Sequence, residues 1–397
     1  MRQSARVIVF NADEDYSSAI RSDLLAMSGV QIVAELDELG LLEQAVGQFS
    51  AELLLAHLDP DPERVLSVVV PIARNNPSLA VFVISETTDA QHILSAMRAG
   101  IREFLTKPVD QTLLAAAIDK VKVQTQASVE VGTLVSVLGT TGGAGASMLA
   151  ANLAVELCQL SSKRSVALVD LDFRYGQLGT MLDLHADYTI TDLCDTPEQL
   201  DQAMIEKAMV KHSSGLHLLA RPNQFGQADQ ITAAHCASVL SSLQQVYEYV
   251  VVDGPNRYDP GGQSVLDLAD TTLLVVQLLV PSVRNVHRVL DELRDGGYNL
   301  SRFSLICNRV GRESSHLNIE HVEKTLGMKI GYQIPDDWKT VSMAINMGVP
   351  LAEAAPKSRV RQAIRELAER IASPEEDAGE DHKHSAGGLF SRIFSGA

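Results

Sequence analysis

Thr140-Thr141-Gly142-Gly143-Ala144-Gly145-Ala146-Ser147 stands between an apolar run, Leu134 to Leu138, and a stretch that places Leu153, Leu157 and Leu160 on one helical face. Strand, glycine-rich turn and helix are the setting in which a loop cradles phosphate. Glycines let backbone N–H groups converge on phosphate oxygens, and the helix N-terminus adds partial positive charge. The stretch therefore predicts a nucleotide-binding α/β fold. Its match to G-x-x-x-x-G-K-[ST] is incomplete: Thr140 replaces the leading glycine, and Ala146 replaces the lysine that reaches the β- and γ-phosphates. Ser147 keeps the hydroxyl that serves magnesium.

Around this loop lie 397 residues, more than one ordinary core accommodates, so two domains and a tail are expected. The net charge of -17 argues against non-specific wrapping of nucleic acid, which requires a surplus of lysine and arginine, and no nucleic-acid partner is expected. Cys158, Cys194, Cys236 and Cys307 lack paired spacing and read as reduced core thiols. The strand-like Val7-Ile8-Val9-Phe10 near the N-terminus is unlike a secretory signal, which points to the cytoplasm. The longest apolar run, Leu273 to Val280, is far shorter than the ~20 residues of a membrane helix and reads as a buried strand.

From residue 6 to about 122, Val7 to Phe10, Leu53 to Ala56 and Val81 to Ile84 alternate with amphipathic stretches, which predicts a small doubly wound parallel sheet over residues 1–123. Polar residues around Gln124 to Val131 read as a linker, 124–132. A second doubly wound domain, 133–372, is built on Leu134 to Leu138, Val166 to Asp170, Tyr249 to Asp253, Leu273 to Val276 and Phe303 to Asn308. Its last helix is predicted over Ser358 to Ala372, with Val360, Ile364, Leu367 and Ile371 on one stripe. Residues 373–397 are acidic and small at first and lack the apolar content to fold alone, so a disordered tether is expected.

Ligands of parallel sheets collect at the carboxyl ends of strands, where this chain has Asp170, Asp172 and Asp253. An aspartate beside such a loop holds magnesium or its water, and a second carboxylate orients an attacking water. Ser147, Asp170 and Asp253 are the candidate magnesium ligands, and Asp172 is the candidate for orienting water. Plainer roles stay open: Asp172 as a helix cap, and Asp253, before Gly254-Pro255, as a turn former.

As an ordered set these segments resemble the ParA/MinD superfamily. Thr141 to Ser147 matches its K-G-G-x-G-K-[ST] loop, Asp170-Leu171-Asp172 its D-x-D switch, Tyr249 to Asp253 its Walker B strand, and Asn308-Arg309 its adenine-side N-R. Ile334-Pro335-Asp336-Asp337, then Asn346 and Gly348-Val349-Pro350, resemble the segment that closes over the base. The resemblance implies a MinD/ParA-type P-loop domain in which Gly142, Gly143, Ala144, Gly145, Ala146, Ser147, Met148, Asn308, Arg309, Pro335 and Asp336 hold ATP or ADP with magnesium. It also implies a homodimer. Thr141 then occupies the place of a second lysine, the one such dimers reach across their interface. At roughly 1.5–3 kcal/mol per charge-assisted hydrogen bond, two lost lysines cost on the order of 3–6 kcal/mol, so hydrolysis is expected to be very weak or absent. Arg174 is the one nearby cation considered as a substitute, and a solvated switch arginine is the plainer reading.

Within the superfamily the chain is most similar to the CpaE/TadZ pilus-assembly proteins, in its domain order and in the switch Asp170-Leu171-Asp172-Phe173-Arg174-Tyr175-Gly176. That resemblance implies a scaffold or localisation factor for a type IVb (Flp/Tad) pilus, partnered by secretion and assembly proteins; an active positioning ATPase or a receiver-controlled regulator is the alternative. Residues 6–122 resemble a flavodoxin-like receiver, with Asp13, Glu14, Asp15, Ser85 and Lys107-Pro108 in place. The acceptor position, however, holds His57, with Asp59 two residues later, so a pseudo-receiver is expected and His57 reads as a loop-edge residue. The segment Gly387 to Ala397 puts Leu389, Phe390, Ile393 and Phe394 at helical spacing. It resembles the MinD membrane-targeting helix, and three readings stay open: peripheral contact with the inner face of the membrane, docking to a secretion protein, and an inert or self-packed tail.

Overall fold

Continuous runs of β-branched and leucine residues form the centres of two parallel sheets. A computed structural model describes residues 4–125, 131–161, 166–194, 200–254, 260–311 and 317–373. In the first sheet β1 (Ala5–Phe10), β2 (Val30–Leu36), β3 (Leu53–His57), β4 (Ala80–Ser85) and β5 (Glu103–Thr106) pair in the order β2-β1-β3-β4-β5, all parallel. This is the strand order of flavodoxin-like doubly wound sheets. β1, β3 and β4 are buried at every residue, as expected of strands covered on both faces. The sequence reading missed the edge β2, in which Gln31 and Glu35 interrupt the apolar pattern; the other edge is the four-residue β5, which ends just before Lys107-Pro108.

The second sheet contains β6 (Thr133–Gly139), β7 (Val166–Asp170), β8 (Val210–Lys211), β9 (His217–Leu219), β10 (Tyr249–Asp253), β11 (Thr271–Gln277), β12 (Phe303–Val310) and β13 (Ile330–Pro335). Their order is β13-β12-β11-β6-β10-β7-β9-β8, parallel except for the β8–β9 pair. β7 and β10 lie on one side of β6 while β11, β12 and β13 are added on the other, so the winding reverses beside the strand that feeds the glycine-rich loop. A crevice opens at such a point.

The helix Ala146–Leu160 is not amphipathic in the expected way: Met148 to Leu157 are buried without a break, because the helix Arg359–Ala372 lies over it. Val360, Ile364, Leu367 and Ile371 make that contact, Ser358 caps the covering helix, and Arg361 Nε reaches the buried Glu156 at 2.7 Å. The expected buried strand Leu273 to Val280 ends at Gln277; Val280 starts the helix Val280–Asp295 and is exposed. Helical structure also continues to Thr125, two residues into the expected linker, and 126–130 lie outside the described residues. So does the tail, 374–397, with its apolar segment. Among the described residues no helix is long and apolar enough to cross a membrane.

The two sheet units pack directly against each other. Ile8 and Phe10 share one apolar cluster with Leu240 and Leu243. The 3% exposed Arg6 donates to Gln244 Oε1 at 2.9 Å, Arg21 to Asp267 Oδ2 at 2.6 Å, and the Asn299 amide to the Leu25 carbonyl at 2.9 Å. The Arg6–Gln244 contact is buried, and would be costly if left unmade, so it fixes register.

Candidate functional site

The loop after β6 takes its shape from glycine. Gly143 (φ +75) and Gly145 (φ +98) occupy the left-handed region, and a Cβ on Gly145 would stand 2.2 Å from Asn308 Nδ2. Three side-chain amides from neighbouring elements hold the loop. Asn308 Nδ2 donates to the Ala144 carbonyl at 2.8 Å, Gln277 Nε2 to those of Gly143 and Ala144 at 3.1 and 3.2 Å, and Asn285 Nδ2 to that of Thr140 at 3.0 Å. With these carbonyls turned toward the amides, the loop is preformed around the start of the helix Ala146–Leu160.

A cavity of about 570 Å³ opens over it. All eleven residues expected to hold nucleotide, from Gly142 to Met148 together with Asn308, Arg309, Pro335 and Asp336, line this cavity, and so does Asp172. At its far end Arg309 adopts φ +59 and its guanidinium stands 5.5 Å from the ring of Trp338, whose helix is capped by Asp337. Among the described residues Arg309 is the only cation in the lining, against Asp172, Asp336 and Asp337. Arg174 points elsewhere: it pairs with Asp229 and lies over Phe225, so it does not replace the missing lysine charge.

Asp170 and Asp253, tips of the adjacent strands β7 and β10, sit beneath the cavity and do not line it. Both are at most 2% exposed. Burial pushes the Asp170 carboxyl up to about 7, with the charges of Asp253 and Asp172 adding to it and the Leu178 amide opposing. Burial likewise raises Asp253 to about 6, with Ser147 pulling it down. The Ser147 hydroxyl is close enough to act on that charge, yet neither Asp253 oxygen has a partner at hydrogen-bond geometry. Two buried acids with an orphaned oxygen pair, beside a hydroxyl and below a phosphate-sized cradle, fit a divalent cation. Ser147, Asp170 and Asp253 are the residues that would hold magnesium, which would supply charge neutralisation at the phosphates. Asp172 is no helix cap here; its Oδ1 accepts from the Tyr175 amide at 3.0 Å in the turn after β7.

Gln277, Asn285 and Trp338 escaped the sequence reading. Gln277 was visible as the one polar residue interrupting an apolar strand, and Trp338 as the chain's single tryptophan. Asn285 gave no signal, because only the packing of its helix brings it to Thr140.

In the first sheet His57 is not a loop-edge residue. It ends β3 fully buried, with Nδ1 2.6 Å from Asn11 Oδ1 and Nε2 3.3 Å from Asp59 Oδ2, and burial lowers its pKa. Asp59 folds back toward the sheet and accepts from Ser85 Oγ at 3.0 Å and the Glu86 amide at 2.9 Å, while Lys107 Nζ stands at 3.2 Å. These contacts hold its carboxyl below the usual range although burial opposes them.

A family model described as "Cellulose biosynthesis protein BcsQ" matches residues 133–371. The septum site-determining protein MinD of Thermotoga maritima is 25% identical over 246 residues, 60% of this chain and 88% of that protein. Among solved structures, a ParA family ATPase from Chlorobium tepidum is similar with a TM-score of 0.58 at 24% identity, covering 61% of this chain and 99% of that one. MinD of Pyrococcus horikoshii, solved with Mg-ADP, has a TM-score of 0.53 at 21% identity, with 61% and 97% covered.

Proposed function

The chain belongs to the family described as cellulose biosynthesis protein BcsQ, within the ParA/MinD superfamily of P-loop ATPases, and from that premise we propose that it is a nucleotide-holding scaffold with little or no turnover. The observation that supports this most is the preformed loop with Ala146 and Thr141 at the lysine positions. Backbone amides and Ser147 can seat phosphates with magnesium. What the site lacks is the cationic help that charge developing at the γ-phosphate requires. On this reading ATP or ADP binds at Gly142 to Met148, Asn308, Arg309, Pro335 and Asp336, and two copies assemble with nucleotide between them.

The domain order and the Asp170 to Gly176 switch support placing this scaffold in type IVb (Flp/Tad) pilus assembly, as a CpaE/TadZ-like localisation factor acting on the cytoplasmic side of the membrane or at the cell pole. Residues 1–123 are then a pseudo-receiver. His57 supports that, because it stands fully buried at the end of β3 where a receiver would carry its acceptor carboxylate. A second reading, a hydrolysing positioning ATPase, draws on the named relatives and on Asp172 facing the cavity. Single-turnover phosphate release, followed alongside light scattering, separates the two. The scaffold reading predicts nucleotide-dependent dimers and release no faster than buffer. Release well above buffer and abolished by Asp172→Ala would replace it with the ATPase reading.

A further inference from the structure

A second cavity, about 690 Å³, lies away from the glycine-rich loop in the cleft where the two sheet units meet. Its size and its place between packed units are those of a ligand site. One wall is the helix Leu42–Gln48 with the edge strand β2; the other is formed by the helices Ala233–Val246 and Pro260–Leu268. The floor is apolar, built from Leu41, Ala45, Phe49, Ala234 and Ala237.

β2 makes this cleft more than a hollow. Five consecutive residues of the strand, Ile32 to Leu36, line it, and among the described residues β2 pairs with β1 alone. The carbonyls of Gly29 and Leu36 accept from Ala5 and Asn11 on the β1 side. That of Val30 faces outward, where Arg302 Nη1 covers it at 3.4 Å. A bulge at Val33 resets the alternation, which turns the backbone groups of Ile32 and Glu35 to the cleft. Proteins normally cover such a row of groups, and an open edge is a template for one more strand.

We propose that the cleft binds an extended peptide segment that pairs with the outer edge of β2 and carries apolar side chains alternating with basic ones. The floor takes the apolar set. The basic set is called for by Asp37, Glu38 and Glu43, which are exposed on the chain beside the lining residues Leu36, Leu41 and Gln44. Arg21, the cation of the lining, is already committed to Glu35 and Asp267. A folded partner or a second copy of this chain fits less well, since Gln31 bonds to the Leu268 carbonyl and so holds the Pro260–Leu268 helix close along the first part of the edge. Only a single strand enters what remains.

The probe is a fluorescein-labelled heptapeptide of alternating lysine and valine, titrated by anisotropy into the full chain, with hydrogen exchange read at residues 32–35. Saturable binding at one peptide per chain, with slowed exchange at Ile32 and Glu35, is expected. Methylating alternate peptide nitrogens removes the strand bonds and should weaken binding by at least about tenfold, as should glutamate in place of lysine. Leu41, 42% exposed, can be changed without disturbing the core, and Leu41→Lys should weaken binding by a similar factor. No saturable binding, equal binding of the methylated peptide, or indifference to Leu41→Lys would each overturn the proposal.

Discussion

Replacing Asp253 by asparagine removes a charge from a place where burial opposes it. The carboxyl rises from 3.8 to about 6, a difference of about 3 kcal/mol at about 1.4 kcal/mol per pH unit. A raised acid holds its proton in the folded chain after the unfolded chain has released it, so the nucleotide-free protein loses stability as pH climbs from 3.8 toward about 6, and the loss persists above that. Asparagine has no such dependence. Its amide needs partners that the Asp253 oxygens lack, which returns about 1 kcal/mol. Nucleotide-free Asp253→Asn should therefore be more stable than the parent by about 2 kcal/mol near pH 8, and by less than about 1 kcal/mol near pH 5. Urea unfolding at both pH values measures this, and added Mg-ATP should stabilise the parent more than the variant. A variant less stable than the parent near pH 8, or a gain equal at both pH values, would refute the placement of an unpaired buried carboxylate at the tip of β10.

Ala146→Lys restores the missing cation and should tighten Mg-ATP by about 1.5–3 kcal/mol, roughly 10- to 150-fold, in calorimetry. Gly145→Ala forces a side chain into the φ +98 conformation and against Asn308, so nucleotide affinity should fall by at least about tenfold while the fold melts within a few degrees of the parent. Arg21→Ala leaves Asp267, 10% exposed, without its guanidinium and should cost about 2–3 kcal/mol in chemical unfolding, with Arg21→Lys recovering part of it.

The central strands were legible because parallel strands covered on both faces are unbroken apolar runs: Val7 to Phe10, Leu134 to Leu138 and Tyr249 to Asp253 could hardly be anything else. β2, β8 and β9 were not, since short or half-polar strands gain their identity from a neighbour. That the loop, Asn308, Arg309, Pro335 and Asp336 would share one cavity was readable from order along the chain, as were the strand-tip acids. Their depth was not: only the fold places Asp172 in the cavity lining and buries Asp170 and Asp253 outside it. His57 was misjudged because a histidine after four apolar residues gives no hint that Asn11 and Asp59 will meet its two ring nitrogens. Packing between the sheet units was hidden for the same reason. Arg6 and Arg21 are unremarkable as sequence and acquire partners more than two hundred residues away.

The central claim is that main-chain amides and Ser147 seat a nucleotide without either lysine. The most direct measurement is a titration of the intact chain with Mg-ATP, followed by heat and by the fluorescence of Trp338, the chain's single tryptophan, which stands 61% exposed at the cavity. Saturation at one nucleotide per chain, with a tryptophan change of the same midpoint and the ATP recovered intact, is the predicted result. No heat and no fluorescence change at any reachable concentration would contradict it, and ATP consumed during the titration would keep the seating but replace the scaffold reading with turnover.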